Sequence, residues 1–196
     1  MLQKSTLFGY LSSLVFYLLS LTNPLYAQTI VDSISTTNPK FLVRNQKGQL
    51  LLVYDENRKA WEVPGLQYAG PISFQELADK AAQEFGIKYT KFSLGGLFTY
   101  HYPNRYKTII RPYFTMVFAG FTNEDAFKKA GHFQWFNFNQ IKDTIPYPAS
   151  VMIVEKLVKK PKTLWAGAFE EYGYTNPITN PSVIKFRIIE PIYKLK

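Results

Sequence analysis

The segment from Gly65 to Ile87 constrains the fold of this chain more than any other part of the sequence. It reads GLQYAGPISFQELADKAAQEFGI and directly follows Trp61-Glu62-Val63-Pro64. Ser73 and Glu76 form an S-x-x-E capping box, which predicts that a helix begins next to Ser73. The apolar residues that helical spacing places on one buried stripe are Phe74, Leu77, Ala81 and Phe85. Gly86 can adopt the left-handed conformation that ends a helix, so we expect a loop, a short helix and a glycine stop.

Apolar runs typical of β-strands surround this segment and predict a sheet. Two of them, Lys40–Asn45 and Gln49–Asp55, are joined by a short glycine-bearing connection and are typical of a hairpin. Further strands are expected at Ala60–Pro64, Lys88–His101, Thr108–Gly120, His132–Phe138 and Val183–Ile189. A second helix is expected at Tyr147–Lys160, followed by an aromatic loop at Trp165–Tyr174. The mixture of strands and helices in one chain predicts an α/β domain.

The first 27 residues have the character of an export signal. Lys4 precedes an apolar stretch that ends near Leu21, and Ala27 suits the residue before a cleavage point. The stretch is shorter than the roughly 20 residues that a spanning helix needs. We therefore expect a cleaved signal peptide at residues 1–27 and a protein that is periplasmic or secreted, with an uncleaved anchor as the alternative. No cysteine is present, which excludes a lipid-anchored form and any disulfide or thiolate metal site.

The rest of the chain is long enough for one domain, and it is basic. Hydrophobic residues make up 46% of the 196 residues, which excludes a disordered protein. After loss of Lys4 with the signal, 22 basic and 14 acidic residues remain, a formal charge of +8. This charge favours a small anionic ligand, although many exported proteins are basic without having one; a nucleic-acid partner is not expected. We expect a linker at residues 28–39, a domain at 40–160 and an extension at 161–196 that packs on that domain.

The order of these elements resembles the Nudix family, whose signature segment has the same length. That signature opens with glycine, carries a glutamate in the loop and continues R-E-U-x-E-E-x-G-U, where U is aliphatic. Gly65, Ala81, Glu84 and Gly86-Ile87 match it. The resemblance covers residues 40–160 and implies an α/β/α sandwich around a mixed sheet. It also implies magnesium-dependent hydrolysis of nucleoside diphosphates linked to another group.

Four positions depart from the signature. Pro71 replaces the loop glutamate, Asp79 the arginine, Lys80 the first helix glutamate and Gln83 the middle one. The family uses the helix glutamates to bind metal, and Mg²⁺ needs at least one or two carboxylates among its oxygen ligands. The lysine also repels a divalent cation. The sequence therefore predicts that most of the metal-binding carboxylates are missing.

The remaining candidate site residues are few. Glu84 is the candidate catalytic residue and, with Glu62, the candidate metal ligand; Glu76 or Asp79 could replace Glu62. The residues that could stack on a base and hold phosphates are Tyr100, Arg105, Lys107, Arg111 and Tyr113. The alternative for this last group is a hairpin with one packed and one solvated face.

Three functions follow as hypotheses. The first is an exported Nudix-like protein that binds an anionic, nucleotide-like or phosphorylated ligand with little or no hydrolysis. The second is an active pyrophosphohydrolase with a rearranged site, and only this one requires Mg²⁺ or Mn²⁺. The third is a structural or protein-interaction module of the envelope.

Overall fold

A computed structural model describes residues 37–67, 71–103, 107–173 and 183–195, which belong to one compact unit, Thr36–Lys196. Its strands are β1 (Lys40–Arg44), β2 (Leu50–Asp55), β3 (Ala60–Glu62), β4 (Ile87–Tyr102), β5 (Lys107–Phe121), β6 (Phe133–Phe136), β7 (Trp165–Tyr172) and β8 (Lys185–Lys194). Its helices are α1 (Phe74–Glu84), α2 (Glu124–Ala130), α3 (Ile141–Thr144) and α4 (Pro148–Lys159). No helix in these described ranges is long and apolar enough to cross a membrane.

The strands of the described residues form one mixed sheet in the order β3-β2-β1-β5-β4-β7-β8, with β6 paired to β2. The pairs β1–β5 and β4–β7 are parallel, whereas β1–β2, β4–β5 and β7–β8 are antiparallel. Two buried cores lie on opposite faces of this sheet because alternate residues of a strand point to opposite sides. In β1, Phe41 and Val43 join the core that contains α1, and Leu42 joins the core that contains α4. The predicted α/β/α sandwich around a mixed sheet is confirmed.

The capping box and the glycine stop of α1 are also confirmed. The Ser73 hydroxyl accepts the Glu76 main-chain N–H, and the Glu76 carboxylate accepts the Ser73 N–H at 2.8 Å. Gly86 has a φ of 66° and follows Phe85, the residue that caps the end of the helix. The buried stripe begins one turn later than predicted, however, because Phe74 is 67% exposed. The residues that α1 buries are Leu77, Ala78, Ala81 and Ala82, followed by Phe85 just beyond the helix.

The predicted aromatic loop after the last helix is wrong. Trp165–Tyr172 is strand β7, which pairs in parallel with β4 from Gly96 to His101. β8 then adds to β7 and forms an end of the sheet. The loop prediction failed because local sequence signals do not show which distant strand a segment will join.

Candidate functional site

The polar side of α1 offers little to a metal ion. Lys80, Gln83 and Glu84 are all exposed. Neither Lys80 nor Glu84 forms an ion pair with another residue of the described part of the chain, although the two are four positions apart on the helix. Glu84 is thus a solitary carboxylate at the end of the helix.

The other two carboxylates of α1 already have hydrogen-bond partners. Hydrogen bonds from the main chain and hydroxyl of Ser73 hold the pKa of Glu76 below its usual value. Asp79 accepts hydrogen bonds from the Tyr89 hydroxyl at 2.7 Å and from Gln75 Nε2 at 3.2 Å. Because Tyr89 lies on β4, Asp79 ties the helix to the sheet.

Replacing Tyr89 with phenylalanine should weaken this tie. The substitution removes the hydrogen bond that the hydroxyl donates to Asp79 and the one that it accepts from Gln75 at a partly exposed site. The free energy of unfolding should therefore fall by about 0.5–1.5 kcal/mol. Urea denaturation measures the difference. Tyr193→Phe is the matched control, because the partly exposed Tyr193 hydroxyl has no hydrogen-bond partner among the described residues. Equal midpoints for the two variants would show that the Asp79 contact contributes nothing to stability.

Glu62 forms an ion pair with a buried lysine. Lys40 is 6% exposed, and its Nζ donates to Glu62 Oε2 at 2.9 Å and to the main-chain oxygen of Val63 at 3.0 Å. Arg58 Nη1 lies 3.4 Å from the same carboxylate. Burial raises the pKa of Glu62, but the charges of Lys40 and Arg58 outweigh burial, and its pKa is lower than usual. Burial lowers the pKa of Lys40, and Glu62 offsets part of that effect.

Gly65 has a steric role beside this ion pair. A Cβ at this position would lie 2.9 Å from Lys40 Cδ and 3.1 Å from the oxygen of Pro39. A side chain here would therefore require Lys40 and the main chain of Pro39 to shift. The contact is continued by hydrogen bonds from the Phe41 N–H to Pro64 and from the Leu66 N–H to Pro39.

A second buried polar group is centred on Arg111 of β5. We call it the Arg111 cluster; its members are Tyr100, Tyr102, Arg111, Tyr113 and Glu171. Arg111 Nη2 donates to the Tyr102 hydroxyl at 3.0 Å, and the guanidinium carbon lies 4.3 Å from the centre of the Tyr100 ring. Glu171 is 2% exposed and interacts electrostatically with Arg111 and Tyr102. Burial raises the pKa of Tyr102 to about 12, against the opposing effect of Arg111, so Tyr102 is a neutral hydroxyl at pH 7.

The fold is shared with solved structures of known families. The MutT mutator protein of Bacillus halodurans superimposes with a TM-score of 0.60 at 18% identity, over 80% of this chain and 99% of that one. A Nudix hydrolase of Nitrosomonas europaea superimposes with a TM-score of 0.51 at 17% identity, over 62% of this chain and 87% of that one. This chain has the Nudix fold. No protein-family model matches the sequence, and no curated protein matches it.

Within this Nudix fold, the candidate ligand residues fall into two groups. Arg111, Tyr100 and Tyr113 are brought together on the face of the sheet that packs against α4. Lys107 begins β5, with a side chain outside the described atoms, and Arg105 lies outside the described residues. Their roles in ligand binding stay predictions.

The two candidate metal ligands occupy different surroundings. Glu84 ends α1, which packs on one face of the sheet, whereas Glu62 interacts electrostatically with Arg111, which belongs to the other face. In the described part of the chain, no three His, Cys, Asp or Glu side chains are grouped so that they could hold a metal ion. A carboxylate that already binds an ammonium and an arginine does not fit the needs of Mg²⁺. The metal roles of Glu62 and Glu84 stay predictions.

The sequence analysis did not identify Lys40 or Glu171 as site residues. Lys40 is the buried partner of Glu62, and Glu171 is the buried carboxylate that interacts with Arg111. Lys40 precedes the apolar run Phe41-Leu42-Val43, and alternation places it on the same face as Leu42. The alternation could therefore have predicted that the Lys40 side chain points into the core that contains Leu42. Alternation also places Glu171 on the same face as the buried Phe169, but this signal exists only if Trp165–Tyr172 is recognised as a strand.

Proposed function

We propose that this chain is an exported Nudix-fold protein that binds an anionic, nucleotide-like or phosphorylated ligand with little or no hydrolysis. The observation that carries the proposal is the engagement of its carboxylates. Glu62 is paired with Lys40, Glu76 with its helix cap and Asp79 with Tyr89. Of these four candidate ligands, only Glu84 has no partner among the described residues. One carboxylate four positions from Lys80 is a poor ligand set for the metal that diphosphate hydrolysis requires.

The anionic character of the ligand is supported by the charge distribution. The formal charge after signal removal is +8, and Arg111 is held in a fixed orientation by Tyr100 and Tyr102. Its Nε–H is buried without a hydrogen-bond partner among the described residues. Arginine with a free N–H edge is the side chain best suited to phosphate or carboxylate oxygens. Arg105 and Lys107, which lie four to six positions before Arg111 in the sequence, would add further positive charge.

A turnover assay tests the absence of hydrolysis. Purified protein is incubated with nucleotide sugars, dinucleotides and nucleoside triphosphates, with Mg²⁺ or Mn²⁺. We expect no turnover above that of the Glu84→Gln variant, which is the matched control. Turnover in the wild type that disappears in Glu84→Gln would instead establish an active hydrolase with Glu84 in its machinery.

A thermal-shift screen of the same compounds without metal tests binding. A ligand present at 100 times its dissociation constant stabilises the folded state by about 2.7 kcal/mol, which raises the melting temperature by several degrees. The Arg111→Lys variant keeps the charge but loses the planar guanidinium, so the shift should shrink. A flat screen with every compound would favour a structural or interaction role.

Export is tested by the mass of the mature chain. When the full sequence is expressed in a bacterium with an outer membrane, we expect the protein in the periplasmic or secreted fraction, with Gln28 as its first residue. An intact Met1 in the cytoplasmic fraction would contradict the proposal.

A further inference from the structure

The ammonium of Lys40 lies between two oxygens of the kind that bind hard cations. One is a carboxylate oxygen of Glu62 at 2.9 Å, and the other is the main-chain oxygen of Val63 at 3.0 Å. Carboxylate and main-chain carbonyl oxygens are also ligands that divalent hard cations take in proteins. The pair is nearly buried, since the side chains of Lys40 and Glu62 are 7% and 18% exposed.

The main chain beside this ammonium leaves space for a lysine side chain. Gly65 leaves room for the lysine stem and head, because a Cβ there would lie 2.9 Å from Cδ and 3.1 Å from Nζ. An ammonium has three N–H donors, of which Glu62 and Val63 take two. The third has no partner in the described part of the chain. A further donor thus remains for an anionic oxygen.

The electrostatic surroundings exclude a second cation. Lys40, Arg58 and Arg111 all act on the single carboxylate of Glu62. A divalent ion at this carboxylate would be repelled by Lys40 and Arg58, which lie 2.9 Å and 3.4 Å from it. The oxygens that could bind a metal are therefore already neutralised by cations of the protein.

We infer that Lys40 is a built-in cation that occupies the oxygens of Glu62 and Val63, so that no divalent metal binds them and phosphate oxygens are bound at this loop without metal. The statement about phosphate rests on the proposed function. The statement about the metal does not, because it concerns only the oxygens of Glu62 and Val63. The two can therefore be tested separately.

Mn²⁺ binding followed by electron paramagnetic resonance tests the metal statement. Lys40→Ala removes the ammonium and opens space, so this variant should bind Mn²⁺ at least about tenfold more tightly than the wild type. Lys40→Arg keeps a cation and should gain nothing. The double variant Lys40→Ala with Glu62→Gln should lose the gain. A folded Lys40→Ala protein that binds Mn²⁺ no better than the wild type overturns the inference.

A measurement on the wild type keeps the inference testable if Lys40→Ala fails to fold. Circular dichroism and a melting curve establish folding for each variant. Wild type and Glu62→Gln should then bind Mn²⁺ equally weakly, because the Lys40 ammonium occupies the carboxylate. A wild-type Mn²⁺ site that Glu62→Gln abolishes would overturn the inference.

Calorimetric titration with inorganic pyrophosphate tests the phosphate statement. We expect the same dissociation constant in EDTA and in excess Mg²⁺, and weakening of at least about tenfold in Lys40→Met, which keeps the side-chain length without the charge. Binding that requires Mg²⁺ overturns the inference but leaves the proposed function standing. If pyrophosphate does not bind in either buffer and no nucleotide raises the melting temperature, the proposed function and the phosphate statement are both overturned. The metal statement is then decided by the Mn²⁺ experiment alone.

Discussion

Replacing Arg111 with methionine should lower the free energy of unfolding by about 3–5 kcal/mol, because it leaves a buried carboxylate without its opposite charge. Glu171 is 2% exposed and interacts with Arg111 inside the core beside α4. The Tyr102 hydroxyl would also lose the donor that lies 3.0 Å away. Methionine fills a similar volume, so the loss comes from charge and hydrogen bonding and not from a cavity. Urea denaturation at pH 7 measures it.

A surface arginine provides the matched control for this prediction. Arg187 pairs with Glu170 at 3.1 Å, but its side chain is 67% exposed. Arg187→Met should therefore cost about 0–1 kcal/mol. Adding Glu171→Gln to Arg111→Met should recover part of the loss, since the buried charge is then gone. Similar small losses for Arg111→Met and Arg187→Met would show that Glu171 does not depend on Arg111.

The parts of the fold that the sequence predicted well are those determined by neighbouring residues. Ser73 and Glu76 are three positions apart, and their reciprocal hydrogen bonds begin α1 as expected. The hairpin of β1 and β2 depends on a short turn in which Gly48 has a φ of 77°. Capping, turn geometry and apolar periodicity act over a few residues, so they can be recognised in a single sequence.

The candidate site was harder to predict because its contacts join distant residues. Glu62 pairs with a lysine 22 positions earlier in the chain. Arg111 meets Glu171 only because β7 adds to β4, which is itself paired with β5. Opposite charges far apart in a sequence have many possible partners, and only the strand order selects among them. The sequence predicted Glu62 and Arg111 as site residues, but not the charges that surround them.

Gly65 shows how a local signal can be right for a reason that the sequence does not reveal. Its place at the start of the signature segment indicates that this glycine is important. Its steric role, however, comes from the close approach of Lys40, whose buried position depends on β1 pairing with β5. The chain has the Nudix fold and this glycine, whereas Glu62, Glu76 and Asp79 are paired with other groups.

Replacing Phe114 with alanine should be the second large effect, with a loss of about 3–5 kcal/mol in the free energy of unfolding. Phe114 is 1% exposed on β5, in the core that contains α1. Its ring stacks on Phe92 at 4.8 Å and on Phe41 at 5.7 Å, measured between ring centres. Removal of the ring leaves a cavity between three strands and the helix that the rigid sheet cannot close. Chemical denaturation measures the loss.

Phe74→Ala is the control. It tests whether the buried stripe of α1 begins at Phe74, as the sequence predicts, or at Leu77, as in the structure. Phe74 touches Phe114 at 5.6 Å between ring centres but is 67% exposed, so its truncation should cost about 1 kcal/mol or less. The double variant reports the coupling of the two rings, expected at about 0.5–1.5 kcal/mol. If Phe74→Ala destabilised the protein as much as Phe114→Ala, Phe74 would belong to the core, and the start of the stripe inferred from the structure would be wrong. A small effect would instead leave Leu77 as the first buried residue of α1, with the first turn of the helix held by its capping box.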